Sequence, residues 1–200
     1  MLPRDVAAAE KVREWVREGG EFYGVGLDLR GADFSRCDFS GSWFSGADLS
    51  GVRLVGAEFY RADLEGADLS GADLSDASLV RANLDDSDLS QARVTGARMA
   101  KTSLYGVTAI GAVFHGVHCV DGAFSGANLR GADLTGAWLR EVIFRADVDE
   151  HTRFANMHGS VYGPLSVHRG DSVVTMGGET MREWLRDRGA RVEVVPPRGP

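Results

Sequence analysis

A large apolar residue recurs at every fifth position from Leu29 to Phe144, twenty-four times in one unbroken phase. Leucine and phenylalanine hold most of these places (Leu29, Phe34, Phe39, Phe44, Leu49), with Val94, Met99, Ala109 and Cys119 among the departures. Two residues before each centre stands a small or β-branched residue, such as Ala32, Ser42, Ala47, Val52 or Val142. Only the first unit, with Leu27, breaks this second rule.

A period of five fits neither the roughly 3.6-residue turn of an α-helix nor the simple alternation of a flat strand. Glycine often opens the unit, as at Gly31, Gly41, Gly46, Gly51 and Gly56, and glycine accepts the backbone of a sharp corner. A chain that corners every five residues closes a four-sided coil after twenty. Coils stacked by backbone hydrogen bonds rise about 4.8 Å each, so six of them predict a rod roughly 29 Å long. The large centre and the small residue two before it point inward together and fill a narrow interior.

The units Ala32-Asp33-Phe34-Ser35, Ala67-Asp68-Leu69-Ser70, Ala82-Asn83-Leu84-Asp85 and Ala132-Asp133-Leu134-Thr135 resemble the A(D/N)LXX signature of the pentapeptide-repeat family. The resemblance covers residues 27–145. It implies an all-β solenoid, a right-handed quadrilateral β-helix; the handedness comes from the resemblance and not from the spacing. It also implies a partner class, because some members of that family mimic duplex DNA, bind DNA gyrase or topoisomerase IV, and inhibit the enzyme or protect it from drugs and toxins.

A stack of coils exposes unpaired backbone and apolar side chains at both ends and needs caps. Residues 4–18 are expected to form a helix with Val6, Ala9, Val12, Trp15 and Val16 towards one face, ended by Gly19-Gly20. Residues 1–26 are thus read as an N-terminal capping helix and lead-in, and residues 146–159 as a linker. Residues 160–200 are read as a small α/β segment, either a cap or a homodimerisation module. Within it Arg169-Gly170-Asp171 is expected to turn a hairpin, Glu179–Arg188 to form a helix, and Arg191–Val195 a last strand.

Charge adds direction to this rod. Stacking at twenty residues places Asp28, Asp48, Asp68 and Asp88 in one column. Asp33 and Asp73 fall in a second column, interrupted by Arg53 and Arg93, and Asp38 and Glu58 in a third. Such residues also bond to their own turn backbone. Residues 27–89 carry 13 acidic side chains against 5 arginines, whereas residues 90–144 carry 3 against 5 basic ones. The acidic columns, with Trp43 and Tyr60 on the same half, are the candidate partner-contact residues. Farther along, Tyr105, Ile110, Val113, Val120, Trp138 and Ile143 point outward, and the C-terminal segment is expected to fold back over them.

The residues suggest binding without chemistry. His115 and His118 face outward on adjacent sides, and no cysteine or carboxylate completes a metal set around them. Cys37 and Cys119 fall at interior positions as small apolar fillers. No phosphate loop, nucleophile elbow or HExxH motif occurs, so neither an enzyme nor a cofactor is expected. A formal charge of −7 argues against direct nucleic-acid binding. With no signal-like or membrane-length apolar run, a cytoplasmic protein with a protein partner is expected.

Overall fold

The computed structural model describes residues 1–196, and four columns of parallel bridges run along most of it. Each bridge joins residues twenty apart: Tyr23 to Trp43, Asp28 to Asp48, Asp33 to Arg53, Asp38 to Glu58, and onward to Asp133 with Arg153. One backbone pattern repeats along the regular sides. The N–H of a centre residue donates to the carbonyl nineteen residues ahead, as Leu49 to Asp68 at 2.7 Å and Leu69 to Asp88 at 2.7 Å. The N–H two residues before the centre closes the preceding corner, as Ala67 to the Leu64 carbonyl at 3.0 Å.

The interior is what the spacing predicts. Leu49, Leu54, Phe59, Leu64, Leu69 and Leu74 are fully buried, and so are Ala47, Ala57, Ala67 and Ala72 beside them. Each large centre removed from water contributes roughly 1.5–3 kcal/mol, and the small partner makes room for it. Cys119 follows the rule, and burial pushes its thiol up to about 12. Cys37 is only half-buried at the side of the core.

The rod is longer than residues 27–145 at both ends. Phe22 is buried and Tyr23 bridges Trp43, so the lead-in is already a side of the first layer. At the other end, residues 146–159 are a layer of the stack and not a linker. Strands β1 (His118–Val120), β2 (Ala127–Asn128), β3 (Trp138–Ile143), β4 (Ala146–Asp149) and β5 (His158–Tyr162) pair in parallel, β1 with β3, β3 with β5, and β2 with β4. The regular period disappears there because Phe144 is followed by buried residues at 146 and 148, then at 152 and 154. One side has four residues and the next has six, after which Arg153 again bridges Asp133. Asp149 makes the longer corner, its Oδ1 accepting from the N–H groups of Gly131, His151 and Thr152.

Both ends are closed. Helix α1 (Val6–Glu18) starts at Asp5, whose side chain accepts from the Ala8 N–H. Ala8, Ala9 and Val12 are buried, and Trp15 stacks on Phe39 at 4.9 Å. Val6 and Val16, expected on that face, are each 71% exposed. The face turns instead through Ala8. At the far end β6 (Leu165–Arg169) and β7 (Ser172–Met176) form the expected antiparallel hairpin, and β8 (Arg191–Val194) pairs with β5. Helix α2 (Gly178–Arg186) buries Met181, Trp184 and Leu185, with Trp184 edge-on to Phe154. The segment closes the axis of the rod and does not fold back along it. Tyr105, Ile110 and Ile143 accordingly stay 58%, 38% and 40% exposed.

Candidate interaction face

The column of aspartates is built from a local motif repeated at every layer. The Oδ1 atoms of Asp28, Asp48, Asp68 and Asp88 each accept the N–H two residues ahead, from Arg30, Ser50, Ser70 and Ser90 at 2.8–3.1 Å. Asp33, Asp38 and Asp73 do the same with Ser35, Ser40 and Ser75. One oxygen therefore holds the corner, and the other is presented outward. The bridges place Asp28, Asp48, Asp68 and Asp88 in direct succession, and the column ends at Thr108.

Not all of that charge is free. Arg30 lies across the first two members, with Nη2 2.6 Å from Asp28 Oδ2 and Nε 3.0 Å from Asp48 Oδ2. The Arg30 hydrogen bonds hold the Asp28 carboxyl down at about 2. Asp33 is paired with Arg53 at 3.7 Å and Glu58 with Arg98 at 3.5 Å. The carboxyls of Asp33 and Asp38 are lowered by hydrogen bonds from Ser35 and Ser40. Among the described residues, Asp38, Asp68, Asp73 and Asp88 make no ion pair.

The structure adds acids that the column arithmetic left out. Glu65, Asp85 and Asp86 occupy the corner between the Asp68–Asp88 column and the column containing Asp63. Asp63 Oδ2 accepts from Ser45 at 3.0 Å, and Asp85 accepts from the Tyr105 N–H at 2.9 Å. Their signal was available as a second polar residue just after the centres Leu64 and Leu84. The acidic surface is thus densest in the layers of Asp68 and Asp88.

The two aromatic candidates differ. Trp43 is half-buried under Tyr23, their rings stacked at 4.8 Å, so it is no isolated contact. Tyr60 is 41% exposed and carries the Arg61 guanidinium 5.3 Å above its ring. His115 and His118 both face solvent, and no group of three or more metal-ligating side chains occurs among the described residues. No helix among them is long and apolar enough to cross a membrane.

The five-residue rule and the twenty-residue stacking have a counterpart among known proteins. The family Pentapeptide repeats matches in eight copies, over residues 25–51, 42–79, 57–96, 77–116 and 110–145. The chain belongs to the pentapeptide-repeat family. Among solved structures, it is similar to a pentapeptide-repeat protein of the Arabidopsis thaliana thylakoid lumen at 40% identity, over 50% of this chain and 74% of that one, with a TM-score of 0.40. HetL, involved in regulating heterocyst differentiation in the cyanobacterium Nostoc sp. strain PCC 7120, is 21% identical over 79% of this chain and 84% of its own, with a TM-score of 0.47. QnrB1, a plasmid-mediated fluoroquinolone resistance protein, is 19% identical over 84% and 85%, with a TM-score of 0.36. No curated protein matches the chain.

Proposed function

We propose that this pentapeptide-repeat protein is a non-catalytic binding module whose acidic face occupies a basic, DNA-holding surface of another protein. In this reading the rod has the right-handed quadrilateral winding that the family resemblance implies. DNA gyrase or topoisomerase IV is the partner to test first, and that choice also follows the resemblance. What supports the reading in this chain is the ladder at Asp68 and Asp88. Each carboxylate is fixed by its own turn and has no ion-pair partner among the described residues, and Glu65, Asp85 and Asp86 lie beside them. Fixed negative charges at a regular rise complement a basic saddle and steer association with it.

The test is a gyrase supercoiling assay with the purified chain titrated in, with and without a gyrase poison. Inhibition or rescue in the micromolar range is expected. The variant Asp68→Asn with Asp88→Asn keeps the oxygen that accepts from Ser70 and Ser90 while removing both charges. It is expected to weaken the effect about tenfold or more at low salt, and by less at high salt, where exposed charges are screened. No effect of the wild-type chain on either enzyme would reject the topoisomerase assignment. The reading would then shift to a general scaffold, for which the exposed Tyr105, Ile110 and Ile143 offer apolar contact.

A further inference from the structure

The residue two after each centre adopts a left-handed backbone, and three of the four corners fill it mainly with glycine. The runs are Gly46, Gly66, Gly106 and Gly126; Gly51, Gly71, Gly111 and Gly131; and Gly56, Gly96, Gly116 and Gly136. The fourth corner differs. After Gly41 it carries Arg61, Arg81, Lys101, Asp121 and Glu141, with φ of 58, 62, 59, 55 and 55°. A side chain at such a φ is strained where glycine is not. Five successive layers accept that strain at one corner, so the coil itself does not explain these residues.

All five side chains are exposed, and none forms an ion pair among the described residues. Immediately beside them runs a second column, Tyr60, Val80, Ala100, Val120 and Arg140. The two columns are knitted by backbone bonds. The N–H groups of Arg61, Arg81, Lys101 and Asp121 donate to the carbonyls of Val80, Ala100, Val120 and Arg140 at 3.1, 2.9, 2.8 and 2.9 Å. One column reads positive, positive, positive, negative, negative along the axis. The other reads aromatic, apolar, small, apolar, cationic.

Both sequences complement themselves when reversed about the same layer. We propose that two copies of this chain pair side by side along this corner, antiparallel, about a two-fold axis at Ala100 and Lys101. An axis perpendicular to both rods lays each column against its own counterpart, the self-matching arrangement of an isologous interface. Arg61 then meets Glu141 of the second copy, and Arg81 meets Asp121. Val80 lies on Val120, the two Ala100 residues allow close approach on the axis, and Tyr60 takes the Arg140 guanidinium of the second copy on its ring as Arg61 leaves that ring for Glu141 and Arg140 leaves Trp138. The paired Lys101 ammoniums repel, and their long flexible stems let them splay into solvent. Five layers at about 4.8 Å give a strip roughly 20 Å long. That is narrow beside the roughly 800 Å² per partner of a standard interface, so the dimer is weak and salt-sensitive. The Asp68–Asp88 column lies on a face that does not border this corner, so the pairing stands apart from the proposed function.

Sedimentation equilibrium of the full chain tests this at about 50 and 500 mM salt. A dimer is expected at the lower salt and its loss at the higher. Arg81→Glu or Asp121→Arg alone is expected to weaken it at least tenfold. The two together in one chain are expected to restore it, because the exchanged charges again face opposite signs. Arg81→Gly relieves the backbone while removing the charge, and is expected to weaken the dimer with the fold intact by circular dichroism. The proposal is overturned if the chain is monomeric at low salt, if the dimer ignores these variants, or if the double exchange fails to restore it.

Discussion

Phe22 fills the space that Gly24 leaves vacant. The phenylalanine stands in the place of the small residue, and the glycine in the place of the large centre. A Cβ added at Gly24 would lie 2.6 Å from Phe22 Cε1 and 3.1 Å from Phe44 Cδ1. Phe22 also packs against Phe39 and Phe44, with centroids 5.9 and 5.4 Å away, and against Trp15 of the cap. Gly24→Ala is therefore expected to overpack the layer and cost about 1–3 kcal/mol. Phe22→Ala removes a buried ring and should cost about 3–5 kcal/mol. Chemical denaturation of both variants checks the order of these losses, with Phe22→Ala the larger.

Stability should fall in acid, and Asp28 sets part of the window. Its folded carboxyl sits at about 2, below its ordinary value of 3.8, first through the Arg30 side-chain hydrogen bond. A depressed carboxylate stabilises the fold above its unfolded value, and that contribution is lost as pH drops through the folded one. Asp33 and Asp38 are lowered in the same direction by Ser35 and Ser40. The thermal midpoint is expected to decline as pH falls from about 4 towards 2. Arg30→Ala removes the principal cause at Asp28, so the variant should start from a lower midpoint near neutral pH and decline less steeply between about 4 and 2.

Arg30 also masks part of the acidic face, which gives a prediction of opposite sign. Its guanidinium spans Asp28 and Asp48. Arg30→Gln releases both carboxylates to solvent and extends the free ladder from Asp68 and Asp88 to the start of the column. In the partner assay this variant is expected to act several-fold more strongly than the wild type, with a steeper salt dependence. An unchanged or weakened effect would show that Asp28 and Asp48 take no part in the contact.

Much of this architecture was legible because the coil uses a rigid count. The centres at every fifth residue located the interior from Leu29 to Phe144, and adding twenty gave the column neighbours, Asp48 beside Asp68 included. The count failed where the chain departs from it. Phe22 and Gly24 exchange large and small, so the first side was invisible to a search for a large centre. The four-residue side after Phe144 removed the phase that marked residues 146–159 as part of the rod. Side-chain reach was beyond the count altogether: which acids Arg30 takes depends on the length of its stem. The exposure of Ile143 depended on where α2 came to rest, which is over the end of the core.

The unequal sides between Phe144 and Phe154 carry a consequence for how this chain tolerates change in length. The short side advances the phase by one residue and the long one sets it back, so the twenty-residue register returns at Arg153, and the next layer slips again, with Val161 on Val142 and Ser166 on Asp147. Arg153 still stands over Asp133, 3.7 Å away, as if no slip had occurred between them. A vernier of this kind separates local spacing from long-range alignment. A residue lost on one side is regained at a later corner, and the positions built on Asp133, Trp138 and Leu139 keep their common address twenty residues on.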